Sequence, residues 1–227
     1  MKNTGREDIN PTFIKNLSFR LKEALPGPKA WKHMMPEGRL LDMPAEVVPV
    51  ESAVLVLFIE RDYQLFLLLI RRSEDGRIHG GQIGFPGGRA ESSDIDLWNT
   101  ALREAQEETG IAPETVEQLG LLSPLYIPHS NFRVHPHVGY TSKTPTFVRQ
   151  KEEVDEILMI PYPLFFDRNY QSTFVFDTLR GPVSAPCFAM EGVRIWGATA
   201  MIISELISIS PAFSHPDLPH KEIIHIT

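Results

Sequence analysis

The chain has 227 residues, 42% of them hydrophobic and 22% charged, with a formal net charge of −7 and a single cysteine. That balance is ordinary for a globular protein large enough to bury a core. The negative charge speaks against the basic face that nucleic-acid binding needs. The lone Cys187 cannot form an internal disulfide, and the longest apolar run, residues 53–59, is far short of the ~20 residues of a membrane span. The polar start MKNTGREDIN carries no apolar segment of a signal peptide, so a cytoplasmic location is expected.

The first predicted element is a helix over Pro11–Leu25, with Asn10 as its cap and Gly27-Pro28 as its stop. Phe13, Leu17, Leu21 and Ala24 or Leu25 recur there at helical spacing. Lys29 to Pro49, rich in Pro and Met, reads as an irregular connection. Ala53–Ile59 and Gln64–Ile70 are apolar runs flanking Arg61-Asp62, which predicts strand, turn and strand. Their near-continuous apolarity predicts cover on both faces. Gly80, Gly81, Gly84, Gly87 and Gly88 then punctuate a loop; glycine lets a backbone approach a ligand closely, although most such loops are turns.

A second helix is predicted to begin near Ser93, with Asp96 as a capping-box-like partner and Gly110 just past its end. Leu97, Ala101, Leu102 and Ala105 supply its apolar stripe. Extended segments are expected at 121–126, 134–140 and 154–160. A strand turning into a helix is expected over Arg194–Ser208, and the last fifteen or so residues, with Pro211, Pro216 and Pro219, read as a tail.

The chemistry concentrates in the second helix, at Arg103-Glu104-Ala105-Gln106-Glu107-Glu108-Thr109-Gly110-Ile111. At roughly 100° per residue, Glu104, Glu107 and Glu108 fall within about 100° of one another. A like-charge pair at i,i+4 costs a few tenths of a kcal/mol in a bare helix. A hard divalent cation converts that repulsion into coordination, keeping waters and substrate phosphates in its other positions.

This segment resembles the signature of the Nudix hydrolases, G-x5-E-x7-R-E-U-x-E-E-x-G-U with U apolar. The match from Arg103 to Ile111 is complete with Ala105 at the first apolar position. In the front half Asp94 stands in place of Glu, with eight rather than seven residues before Arg103. Both departures, and the flanking LLIRRSEDGRIHGGQIGFPGG and IWGATA, are similar to the coenzyme A pyrophosphatase subfamily. The resemblance implies an α/β fold, an α/β/α sandwich around a mixed β-sheet. It divides the chain into an N-terminal helix and connection over 1–48, the Nudix domain over 49–210 and a tail over 211–227.

The resemblance further implies hydrolysis of a diphosphate, with Mg²⁺ or Mn²⁺ held by Glu104, Glu107 and Glu108 and with Arg103 orienting a glutamate through a bidentate bond. Nudix enzymes commonly add one carboxylate from outside the signature, and Glu153 in KEEVDEI is the choice here. Arg71, Arg72, Arg77 and His79, with Gly87 and Gly88, are the candidate substrate contacts, since arginine suits phosphate recognition. The implied substrate is coenzyme A or acyl-coenzyme A, giving 3′,5′-ADP and 4′-phosphopantetheine. Competing readings are a hydrolase of ADP-ribose or another nucleoside diphosphate derivative, and a non-catalytic sensor domain. The expected partner is that small molecule, with no nucleic acid and no membrane, and a homodimer stays open. His129, His135 and His137 match no common zinc spacing, and Trp196 reads as a core residue.

Overall fold

A computed structural model describes residues 9–41, 43–74, 80–178, 181–211 and 222–227. The hydrophobic runs at 53–59 and 64–70 form the antiparallel strands β1 (Val50–Arg61) and β2 (Gln64–Arg72). Asp62 and Tyr63, both at positive φ, make the turn between them. The Gly-rich segment gives two short strands, β3 (Ile83–Gly84) on β2 and β4 (Gly87–Arg89) on β1. Downstream lie β5 (Glu117–Leu121), β6 (Leu125–Ile127), β7 (Phe132–Thr141) and β8 (Val154–Pro161). Strands β1 and β7 run parallel while their neighbours run antiparallel, so the sheet is mixed, in the order β12-β8-β2-β1-β7-β5. Its edge strand β12 (Ile224–Ile226) comes from the stretch read as a tail; residues 212–221 of that stretch lie outside the described residues.

Both faces of this sheet are covered, which is why its central strands carry almost no polar residues. Ala53, Leu55 and Leu57 of β1 pack under Ala101 and Ala105 of helix α3 (Leu97–Thr109). The alternate residues Val56 and Phe58 face Phe13 and Leu17 of helix α1 (Ile9–Arg20) and Met201 and Leu206 of helix α4 (Gly197–Ile209). The result is an α/β/α sandwich. Among the described residues no helix is long and apolar enough to cross a membrane.

Several local expectations change. The first helix ends at Arg20 rather than at Gly27, and Asn10 lies inside it. Within the segment read as an irregular connection, Pro28–Trp31 form the short helix α2. It is tied down by Glu205, a fully buried carboxylate of α4. Glu205 accepts from the Gly27 amide (2.9 Å), the Trp31 indole (3.2 Å), and the Ser123 amide (3.2 Å) and hydroxyl (2.6 Å). The signature helix starts at Leu97 and is capped by Asp96, whose Oδ1 accepts from the Asn99 amide at 2.8 Å; Ser93 lies outside it. Asp wins because its carboxylate satisfies a free amide of the first turn. A separate three-stranded sheet, in the order β11-β10-β9, is built by β9 (Gln171–Thr178), β10 (Gly181–Met190) and β11 (Val193–Trp196) and was not anticipated beyond Arg194.

His137, on β7 beneath α3, is buried beside the Trp98 ring at a centroid distance of 5.9 Å. Neither ring nitrogen has a hydrogen-bond partner among the described residues. Burial, reinforced by nearby His135 and opposed by Asp96, lowers its pKa from 6.5 to about 4. A folded pKa below the unfolded one means that this contribution to stability is complete above pH ~6.5 and is lost as pH falls toward 4. His137→Leu is therefore expected to lose less melting temperature than the wild type between pH 7.5 and pH 5. Equal losses in the two proteins would show that His137 does not titrate on unfolding.

Candidate active site

Strand β4 delivers two glycines to the glutamate face of α3. Gly87 adopts φ 153°, and a Cβ there would collide with the backbone carbonyl of Ala53. At Gly88 a Cβ would fall 2.5 Å from the Glu104 carboxylate. Gly87 needs glycine because its positive φ and the β1 backbone leave no room for a side chain, and at Gly88 a side chain would displace the Glu104 carboxylate. The Gly87 amide donates to Glu108 Oε2 at 2.8 Å. Arg72, at the end of β2, completes the clasp with Nη1 3.5 Å from Glu108 Oε1 and Nη2 donating to the Gly87 carbonyl at 3.2 Å.

Glu108 is 2% exposed. Burial raises its pKa from 4.5 to about 7 against the opposing Arg72 charge and the Gly87 amide, and the charges of Glu104 and Glu153 push it further up. Burial is also the main cause of the upward shift of Glu104, where Arg103 opposes and Glu107 and Glu153 add to it. Glu153 is half-buried in the turn before β8 and hydrogen-bonds through its carbonyl to the Ser73 amide at 2.9 Å. Its charge acts on both Glu104 and Glu108, so two segments distant in sequence, α3 and the turn before β8, contribute to one field. Glu107 is 58% exposed in its side chain and lies at the rim.

Arg103 binds differently from the expectation. Its bidentate partner is Asp94, through Nε at 2.9 Å and Nη2 at 3.1 Å, and each glutamate receives a single contact from Nη1, Glu104 at 3.0 Å and Glu107 at 3.3 Å. Asp94 also accepts from the Glu91 amide (2.9 Å) and the Thr100 hydroxyl (2.8 Å). Arg103 holds the Asp94 carboxyl well below the usual carboxylate range. Arg103 is thus clamped from behind by Asp94 and presents one nitrogen to the glutamates.

The candidate substrate contacts separate into three groups. Arg71 is engaged elsewhere, with Nε donating to Glu156 at 3.0 Å and Nη2 to the Gly192 carbonyl at 3.3 Å. Arg72 and Gly87 hold Glu108 in place, and Gly88 lies against Glu104, so these are supports of the carboxylates. A cation at the end of a buried strand needs a counter-charge, which explains why both arginines turn inward. Arg77 and His79 lie outside the described residues. His135 bonds Glu51 at 2.7 Å through Nε2.

Hard oxygen donors that repel one another suit a hard divalent cation, and the glycine cradle leaves their carboxylates directly against the backbone. Among the described residues no three Asp, Glu, His or Cys side chains stand grouped as they would be around a metal ion. An ion held here would complete its shell with water and phosphate oxygens, as Mg²⁺ usually does.

Residues 49–168 match the family model described as NUDIX domain. The chain is 39% identical over 180 residues to a protein of Pectobacterium atrosepticum named uncharacterized Nudix hydrolase NudL, covering 73% of this chain and 88% of that one. A protein of the same name from Yersinia enterocolitica is 42% identical over 142 residues, covering 62% and 71%. Among solved structures, a MutT/nudix family protein from Enterococcus faecalis aligns at a TM-score of 0.48 and 17% identity, over 86% of this chain and 72% of that one.

Proposed function

The chain belongs to the Nudix family of diphosphate hydrolases, and from that premise we propose that it cleaves coenzyme A or its acyl derivatives into 3′,5′-ADP and 4′-phosphopantetheine. The observation that carries the hydrolytic site is the seating of two like charges of α3 on one glycine cradle, Glu108 on the Gly87 amide and Glu104 against Gly88, with the Glu153 charge acting on both. The subfamily reading is supported by the FPGG loop and the IWGATA segment; β3, the strand that leads into that loop, contacts β11, which carries Ile195 and Trp196.

Glu104, Glu107 and Glu108 are the proposed ligands of Mg²⁺ or Mn²⁺, with Glu153 as a further carboxylate. A bound divalent ion would neutralise the diphosphate and lower the pKa of the attacking water. The rest falls to the chain. Gly87 and Arg72 keep Glu108 aimed at the cradle, and Asp94 fixes Arg103 so that Nη1 restrains Glu104 and Glu107. Arg72, engaged with Glu108 and Gly87, acts as a support of the site, whereas Arg71 is engaged with Glu156 and Gly192.

The test supplies coenzyme A, dephospho-coenzyme A, ADP-ribose and NADH at equal concentration with Mg²⁺ or Mn²⁺, products separated by chromatography. Coenzyme A should give the highest kcat/KM. Faster cleavage of ADP-ribose would move the enzyme to another substrate class, and no turnover of any would leave a sensor domain. Either metal should also raise the melting temperature, since ligand at a hundredfold excess over Kd adds about 2.7 kcal/mol. Glu104→Gln should shrink that shift; an unchanged shift would remove Glu104 from the ligand set.

A further inference from the structure

The small sheet β11-β10-β9 turns only one face to the core. Phe188, Met190, Val193 and Ile195 on that face are buried. On the other face Phe174, Phe176 and Trp196 stand half-exposed above the buried Ala185 and Cys187. The register places them together: Phe174 lies opposite Ala185, Phe176 opposite Val183, and Trp196 opposite Cys187. The ring centroids of Phe174 and Phe176 are 4.9–5.4 Å from that of Trp196, and the Arg194 guanidinium lies 4.6 Å over Phe174. Trp196 is thus part of an open aromatic ledge rather than of the core. The half-exposure of the three rings leaves part of their aromatic surface toward solvent.

The ledge adjoins the candidate site. Trp196 immediately precedes α4, and the hydroxyl of Thr199 in the first turn lies 3.6 Å from the position of a Cβ on Gly84. Gly84 precedes Gly87, the residue that holds Glu108, by three positions, or about 10 Å of extended chain. Arg71 anchors the turn between β10 and β11 through the Gly192 carbonyl, while its neighbour Arg72 pairs with Glu108.

We propose that Phe174, Phe176, Trp196 and Arg194 form the platform on which the nucleobase of the diphosphate substrate stacks. This inference rests on the diphosphate-hydrolase reading and adds which part of the substrate this sheet holds. Flat rings joined by a guanidinium select a planar π-system. A flexible aliphatic arm would instead require an apolar concavity. The ledge therefore takes the purine end, and the diphosphate lies between it and the carboxylates.

Calorimetric titration of the full chain with AMP and with ribose 5-phosphate tests the proposal without turnover. The wild type should bind AMP more tightly. Phe176→Leu should weaken AMP binding about five- to a hundredfold, the equivalent of ~1–3 kcal/mol for one stacked base at 1.4 kcal/mol per decade. Ribose 5-phosphate binding should be unchanged, and Phe176→Tyr should restore AMP affinity. Equal binding of the two ligands by the wild type, or AMP affinity unaltered in Phe176→Leu, would overturn the platform. Failure of the hydrolase reading would show instead as no turnover of any diphosphate, whatever the AMP affinity.

Discussion

Glu108→Gln is expected to lower turnover by roughly 10²-fold or more, since a lost metal ligand forfeits several kcal/mol of transition-state stabilisation, while making the metal-free protein more stable at pH 8. The two effects have opposite signs because the same feature causes both. Glu108 is buried, and burial with the charges of Glu104 and Glu153 raises its pKa to about 7. A folded pKa above the unfolded 4.5 means that ionisation is harder in the folded state. Stability is therefore greatest below pH ~4.5 and is lost as pH rises through 7. An interval of that size corresponds to about 3 kcal/mol at full ionisation. Gln keeps an acceptor for the Gly87 amide but loses the Arg72 ion pair, so a gain of ~1–2 kcal/mol is the reasonable expectation. For a chain of this length that is roughly 2–8 °C in melting temperature. Thermal melts in EDTA at pH 5 and pH 8, beside steady-state rates with Mg²⁺, make the comparison. The gain should be present at pH 8 and nearly absent at pH 5. A variant that loses both activity and stability at pH 8 would make Glu108 a structural residue.

Glu205→Ala should produce the largest loss of stability among single substitutions away from the site. Its carboxylate is fully buried and accepts four hydrogen bonds from Gly27, Trp31 and Ser123. Removing it leaves buried donors unsatisfied, each costing about 1–3 kcal/mol. A total of roughly 3–5 kcal/mol is expected after partial relaxation and water entry, or about 6–20 °C. Glu205→Gln retains one acceptor oxygen and should recover part of this. Limited proteolysis would locate the damage: cleavage should open first between Leu21 and Met34, the segment that Glu205 ties to α4. A melting temperature within 2 °C of the wild type would mean that the network contributes little net free energy.

Sequence reasoning reached different depths at different positions. Periodicity was sufficient for β1, β2 and α3, because a strand buried on both faces and a helix with an alanine stripe leave direct marks on residue order. Gly110 at φ 76° ends α3 as the pattern requires. The helix start was misplaced because Ser93 and Asp96 are both capping residues, and only the loop from β4 decides which one reaches the first turn. The strands β9 and β10 were missed since Phe174, Val175 and Phe176 form a short apolar run in a polar, half-exposed setting with no alternation to read. Ile224–Ile226 is too brief to announce itself, and pairing with β8 makes it a strand.

The same division holds at the site. Glu104, Glu107 and Glu108 are neighbours on a helix by covalent spacing alone, so their grouping was fixed by residue order. The separate roles of these glutamates depend on depth: Glu108 is buried, Glu104 is partly covered and Glu107 lies at the rim. Helical spacing is blind to that depth, which comes from how α3 seats on β1 and β4. The charge on Arg71 and Arg72 was equally visible in the chain, but its direction was not. Residue types determined that this protein carries a carboxylate helix, a glycine cradle and a mixed buried sheet. The partners of each charge, with Asp94 on Arg103, Arg72 on Glu108 and Glu205 on Gly27, were decided only when segments distant in sequence packed together. An ion pair or buried hydrogen bond is a property of distance and desolvation, and neither exists before the fold does.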